Sequence, residues 1–233
     1  MKRKNSPKAK AKVDSSLLID YIIRAALGVF FAFSAGIYYR NALAAFHSAA
    51  TDDLNAASLS LGFSIFASAL YTMMIACLYI LRHRPINKFV GIWPSVAAVL
   101  GGFLMFGLVW FPPRTDLPIE WQVIGSCLIL VGNVFAAYVL TKLGRSFSIL
   151  PEGRALVVIG PYKIIRHPLY AAEVISSLGT MILFLSVGAI SLVVLQTVLQ
   201  FVRMHYEEKV LSQTFPEYKA YAKRTWRLIP GIY

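Results

Sequence analysis

The chain has 233 residues, of which 58% are apolar and 15% charged, and its mean hydropathy is +0.63. A soluble domain carries about a quarter charged residues, so the composition excludes an ordinary soluble globular protein and points to a polytopic membrane chain. The formal net charge of +12 does not read as nucleic-acid binding, because the Lys and Arg residues cluster in short loops between apolar runs.

Residues 2–12 hold six basic residues. The apolar run behind them is too long for a signal sequence and lacks a small-residue cleavage site. Residues 1–15 are therefore expected to form a disordered, basic cytoplasmic tail drawn to anionic lipid. Six apolar segments follow, about Tyr21–Tyr39, Ser58–Leu81, Phe89–Phe111, Gln122–Leu140, Leu169–Ser186 and Ala189–Val202, each read against the roughly 20 residues that a crossing helix needs. The last two are separated only by Val187 and Gly188 and read as a tight helical hairpin whose second arm continues into the cytosol. The fold class is all-α with about six transmembrane helices. The chain divides into the tail, a four-helix membrane region (16–140) and a C-terminal region (141–233).

Loop charge sets the orientation. The tail, the loop at 82–88, the loop at 141–168 and the C-terminal segment are rich in Lys and Arg, whereas the loops after the first and third segments and the hairpin turn are not. This alternation predicts that both termini and the 141–168 loop face the cytoplasm.

Within the first four segments, Asp20 and Arg24 are spaced as a local ion pair. Gly101 and Gly102 favour close helix packing, and Asn133 reads as interhelical glue in preference to pocket lining. Cys77 and Cys127 lie inside apolar runs and are expected to be buried small hydrophobes. His47, His83, His167 and His205 have no metal-ligand spacing, so no metal is expected.

The hairpin carries two polar stripes. Glu173, Ser176, Ser177 and Thr180 fall on one face of its first helix, and Gln196, Gln200, Arg203 and Glu207 on one face of its second. Such stripes face a partner helix or a wet cavity, because lipid would leave their polar groups unsatisfied. For the serines and Thr180, interhelical bonding explains the stripe equally well. Arg203 and Glu207 are also spaced to pair with each other. Glu208 points about 100° from Glu207, so the two adjacent acids cannot share one job.

Residues 160–170 read Gly-Pro-Tyr-Lys-Ile-Ile-Arg-His-Pro-Leu-Tyr. Gly160-Pro161 marks a turn, and Pro168 suits the first turn of a helix. The helix start beside Arg166 and His167 is then a site for an anionic group. Arg and His at a membrane helix mouth are costly unless they bind something. Glu207-Glu208 and the segment Phe215-Pro-Glu-Tyr-Lys-Ala-Tyr221 follow, with Arg227 and Pro230 behind them.

This ordered set, with Leu-Gly-Arg-Ser-Phe-Ser at 143–148, resembles the isoprenylcysteine carboxyl methyltransferase family and related membrane phospholipid methyltransferases, in a bacterial-type form. The resemblance covers about residues 140–233; Pro216 stands where the family often has Gly. It implies that 141–233 is a catalytic region using S-adenosylmethionine. Tyr162, Arg166, His167, Pro168, Tyr170, Glu208, Tyr218 and Tyr221 are then cofactor-binding candidates, Arg203 and Glu207 catalytic candidates, and Glu173, Gln196 and Gln200 substrate-lining candidates. Whether Arg166 and His167 hold the cofactor or an acidic acceptor stays open, as does whether Glu207 or Glu208 takes the ammonium or ribose. The implied acceptor is a prenylcysteine-like or lipid molecule methylated at a carboxylate or an amine, in a bacterial inner membrane by preference over the endoplasmic reticulum. Two alternatives stand beside this: an NADPH-dependent reductase of the sterol type, with a similar Arg-His-Pro pattern, and a non-catalytic protein retaining the fold. The basic tail around Trp226 reads equally as a lid or as a membrane-surface segment.

Overall fold

Six apolar helices form where hydropathy places them, in a computed structural model that describes residues 15–51, 55–88, 92–111, 113–114 and 116–233. They are α1 (Ser15–Thr51), α2 (Ala56–Leu81), α3 (Ile92–Phe103, running on as a tighter 3-10 helix over Leu104–Trp110), α4 (Ile119–Leu143), α5 (Pro168–Phe184) and α6 (Val187–Thr214). The described residues also form a short α7 (Tyr218–Ala222) and a two-stranded ribbon, β1 (Asn87–Lys88) antiparallel to β2 (Glu152–Gly153).

Four of these helices, over Asp20–Thr51, Ala56–Leu81, Ile119–Ser146 and Val187–Thr214, are long and apolar enough to cross a membrane; those over Trp93–Leu108 and Pro168–Phe184 are shorter. The expected tail lies outside the described residues except Ser15, which already belongs to α1. The helices α1 and α6 run well past the apolar segments read at Tyr21–Tyr39 and Ala189–Val202, because polar residues extend a helix beyond its lipid-facing stretch. The hairpin turn is at Leu185–Ser186, not Val187–Gly188. Ser186 caps α6 by accepting from Ala189 N at 3.2 Å.

The bundle is inside-out relative to a soluble protein. Val29, Phe33, Leu70, Val131, Val134, Val194 and Val198 are exposed to the lipid side, while Ser64, Thr72, Ser126, Asn133, Gln196, Gln200 and Arg203 are buried. Cys77 and Cys127 also face outward, correcting the expectation of burial; in a bilayer an apolar residue gains as much from lipid as from the core. Asn133 does act as glue. Its amide donates to Ser68 Oγ on α2 at 2.7 Å, and its carbonyl accepts from Ser176 on α5 at 3.4 Å.

The charge-rich segments gather at one end. His83 N donates to Arg145 O, Ile86 N to Gly153 O, and Arg24 to the carbonyl of Arg82. Asp20 pairs with Arg24 as expected, and also with Arg82 at 3.0 Å. The start of α1, the end of α2 and the 144–167 loop are thereby tied together. The boundary expected at residue 140 falls inside α4, which runs three residues further.

Candidate functional site

The site begins as a backbone construction. Gly160, at φ +58, opens a single 3-10 turn over Gly160–Lys163, a conformation that favours glycine. The chain then extends and pairs in parallel with the C-terminal segment. Trp226 N donates to Ile164 O at 3.0 Å, Arg166 N to Trp226 O at 2.8 Å and His167 N to Arg227 O at 3.1 Å. His167 is the residue before α5, and Pro168 begins it, where its missing N–H costs nothing.

Glu208 is the hub of the first cluster. Its Oε1 accepts from Arg166 Nε at 2.9 Å, lies 3.0 Å from His167 Nε2 and 3.3 Å from Arg227 Nε. Arg166 also donates through Nη1 to the carbonyls of Ala222 at 2.8 Å and Thr225 at 2.5 Å. One carboxylate thus binds the motif, the helix start and the tail together. Such charge-assisted bonds are about twice as strong as neutral ones.

Glu207 turns to a different set of residues. It accepts a short hydrogen bond from Tyr170 OH and stands 3.9 Å from His167 Nδ1. Arg203, one turn earlier, lies over the Tyr170 ring at 5.0 Å and donates to the carbonyl of Ile149 at 3.4 Å. Its guanidinium is therefore directed to the ring and that carbonyl, not spent on a simple i,i+4 pair with Glu207. Gly101 makes room for it: a Cβ there would stand 2.8 Å from Arg203 Cδ.

Deeper in the bundle, Glu173 accepts from Tyr71 OH at 3.0 Å and from Gln200 Nε2 at 2.8 Å. The two polar stripes of the hairpin therefore meet, and α2 joins them. Gln196 continues the α6 stripe and is buried. Tyr71→Phe removes one of the two partners of a buried carboxylate. The expected cost is about 1–3 kcal/mol, read as a lower thermal midpoint in detergent, with Tyr71→Ala worse.

Tyr162, Tyr218 and Tyr221 are buried together. Tyr221 OH donates to the Tyr162 carbonyl at 2.7 Å, and its ring meets Tyr218 edge-on at 5.9 Å. Burial pushes all three hydroxyls up, Tyr221 to about 12 and the other two further. An acid whose folded pKa is raised contributes stability that is complete below its unfolded value near 10. It is lost as pH climbs through the folded value. Stability owed to these phenols should be flat up to about pH 10 and decline above it, which alkaline thermal melts measure.

The structure thus brings together Arg166, His167, Glu207, Glu208, Tyr170 and Arg203, with Tyr162, Tyr218 and Tyr221 packed around the tail and Glu173, Gln196 and Gln200 in the membrane layer. Four participants were not foreseen from sequence: Tyr71, and the carbonyls of Ile149, Ala222 and Thr225. An aromatic inside an apolar run gives no periodic signal, and a carbonyl none at all.

Known proteins resemble this chain over the region that holds the site. The chain is 28% identical over 160 residues to a cobalt-zinc-cadmium resistance protein of Cupriavidus metallidurans, covering 66% of this chain and 67% of that protein. It is 28% identical over 167 residues to protein-S-isoprenylcysteine O-methyltransferase B of Arabidopsis thaliana, covering 68% and 79%. The isoprenylcysteine carboxyl methyltransferase family model matches from within α4 to the end of α6. That match spans residues 124–213. The fold agrees: the solved structure of a eukaryotic intramembrane Ras methyltransferase, isoprenylcysteine carboxyl methyltransferase, superposes with a TM-score of 0.54 at 19% identity, over 95% of this chain and 88% of that one. The isoprenylcysteine carboxyl methyltransferase match therefore takes in most of α4, both arms of the hairpin and the 144–167 loop, and every site residue named above except Tyr71, Gly101, Tyr218, Tyr221 and the tail.

Proposed function

We propose that this chain is an integral membrane methyltransferase that transfers a methyl group from S-adenosylmethionine to a carboxylate of a lipophilic, prenylcysteine-like acceptor. The observation that carries the reading is the division of labour between Glu207 and Glu208. Adjacent on α6, they serve two clusters, one clamping the motif to the tail and one facing the intramembrane stripe. A polar cofactor and a membrane-soluble acceptor need such a pair of neighbouring compartments.

The donor set fits the cofactor. Tyr218 OH is buried and has no hydrogen-bond partner among the described residues, next to the Tyr221 ring. Tyr162, Tyr170, Tyr218 and Tyr221 would frame the adenine and ribose. Arg166, His167 and the start of α5 would hold its carboxylate, with Glu208 fixing the two side chains in place. When bound, the cofactor supplies an electrophilic methyl group. The chain's own contribution is positioning and exclusion of water, which is how such displacements are accelerated. Arg203 would hold the acceptor's carboxylate as the nucleophile. Glu207, through Tyr170, would keep the face beneath Arg203 in register. Glu173, Gln196 and Gln200 would line the acceptor's path. The Lys- and Arg-rich end that carries the site faces the cytoplasm, in a bacterial inner membrane by preference.

The test is a thermal shift of the detergent-solubilised protein. S-adenosylhomocysteine should stabilise it and NADPH should not, and His167→Ala should abolish the effect. Stabilisation by NADPH alone would sink the proposal in favour of the reductase reading. Labelled methyl transfer to a lipid extract should then give a base-labile ester; a base-stable product would move the acceptor to an amine.

A further inference from the structure

The segment behind Arg227 is held in a closed hook. Leu228 is buried against Tyr170 and Met204. Leu228 N and Ile229 N both donate to Tyr233 O, at 2.7 and 2.8 Å, and Tyr233 N donates back to Ile229 O at 3.0 Å. Arg227 donates to Tyr233 OH. A segment tied down so thoroughly would be expected to bury its apolar side chains, yet Ile229, Ile232 and Tyr233 stay exposed, Ile232 at 78%.

Where the hook rests explains the exposure. The Tyr233 ring lies 5.9 Å from that of Phe201 on α6. Phe201 shares one helical face with Val194 and Val198, at steps of four and three, and all three are exposed. That face belongs to a helix long and apolar enough to cross the membrane, so it is lipid-facing. The hook's apolar side chains continue it without a break. Just before them come exposed Lys223, Arg224 and Trp226. Trp with Lys and Arg is the composition of the membrane–water boundary, where the indole sits at headgroup level and the cations meet lipid phosphates.

We propose that residues 223–233 form an interfacial lipid-binding hook. Ile229, Ile232 and Tyr233 enter the acyl boundary, Trp226 lies at headgroup level, and Lys223 and Arg224 meet phosphates. The same segment supplies the backbone bonds to Ile164, Arg166 and His167. Contact with lipid therefore supports the strand that fixes the Arg-His-Pro motif. This inference rests on the fold and stands independently of methyl transfer.

Two measurements on the full chain in phosphatidylcholine nanodiscs test it. In one variant Trp93, Trp110 and Trp121 become Phe, leaving Trp226; in a second, Trp226 is also Phe and Ile232→Trp is the reporter. Both fluorophores should be quenched by acyl-brominated phosphatidylcholine and largely spared by aqueous iodide. Iodide quenching without bromolipid quenching would overturn the proposal, and so would shielding from both, the result expected if a second copy of the chain covered the hook. In the second measurement, hydrogen exchange is followed at Arg166 and His167. The double variant Ile229→Asp, Ile232→Asp should exchange about tenfold faster there, as local opening becomes easier. Unchanged exchange would overturn the link between lipid contact and motif.

Discussion

Glu208→Gln should weaken binding of S-adenosylhomocysteine roughly a hundredfold while leaving the protein in the membrane as a folded bundle. The carboxylate faces Arg166, His167 and Arg227 at 2.9, 3.0 and 3.3 Å. An amide keeps the shape and can accept one of those bonds, but it cannot balance the guanidinium charges of Arg166 and Arg227. Breaking a buried pair by removing one partner costs about 3–5 kcal/mol. This cluster is partly exposed, so a loss near the lower figure is expected. About 3 kcal/mol corresponds to roughly a hundredfold in affinity, and isothermal titration reads that directly. Glu207→Gln is the contrast. It leaves the motif-to-tail pairing intact and removes the acceptor of the Tyr170 hydroxyl. Binding should survive with a small loss, while methyl transfer falls at saturating cofactor. If both variants lost binding equally, the division of labour between the two acids would be wrong.

That division was legible in the sequence, because adjacent residues on a helix point about 100° apart. The six apolar segments were equally legible, since hydropathy is a local property. Their ends were not. α1 and α6 continue past their apolar stretches, to Thr51 and Thr214, because helix formation does not stop where lipid does. Charge alternation put the motif and the tail at one end, and the bonds from Trp226 and Arg227 to residues 164–167 bear this out. The parallel pairing itself was hidden, since it is made by backbone groups that every residue carries. Tyr71 was hidden for a related reason: nothing distinguishes a tyrosine reaching across to Glu173 from one facing lipid until the helices are packed. Cys77 and Cys127 were misjudged by applying the rule of soluble cores, where apolar means inside, to a chain whose outside is also apolar.

Helix packing carries the remaining large effect, at the seam between α4 and α5. Gly179→Val should unfold or strongly destabilise the protein. A Cβ at Gly179 would stand 2.4 Å from Gly125 O and 2.9 Å from Ile129 N. A Cβ at Gly132 would stand 2.6 Å from Ser176 N and 2.8 Å from Ala172 O. These obstacles are backbone, so no rotamer change relieves them; the helices themselves must separate. Overpacking a core costs about 1–3 kcal/mol, more in the worst sites, and a branched side chain against backbone belongs with the worst. In lipid the close approach of small residues is itself the main attraction between helices, so separation also forfeits what held them. The damage should reach the site, because α5 carries Glu173 and begins just after His167, and both residues bond to α6. Gly36→Ala is the control: nothing lies within 4 Å of its Cβ, and alanine favours a helix over glycine by about 1 kcal/mol. Thermal melts in detergent should therefore show Gly36→Ala at or slightly above the parent and Gly179→Val far below it. A melt unchanged by Gly179→Val would mean that α4 and α5 are not in backbone contact, and that Glu173 is positioned by α2 and α6 alone.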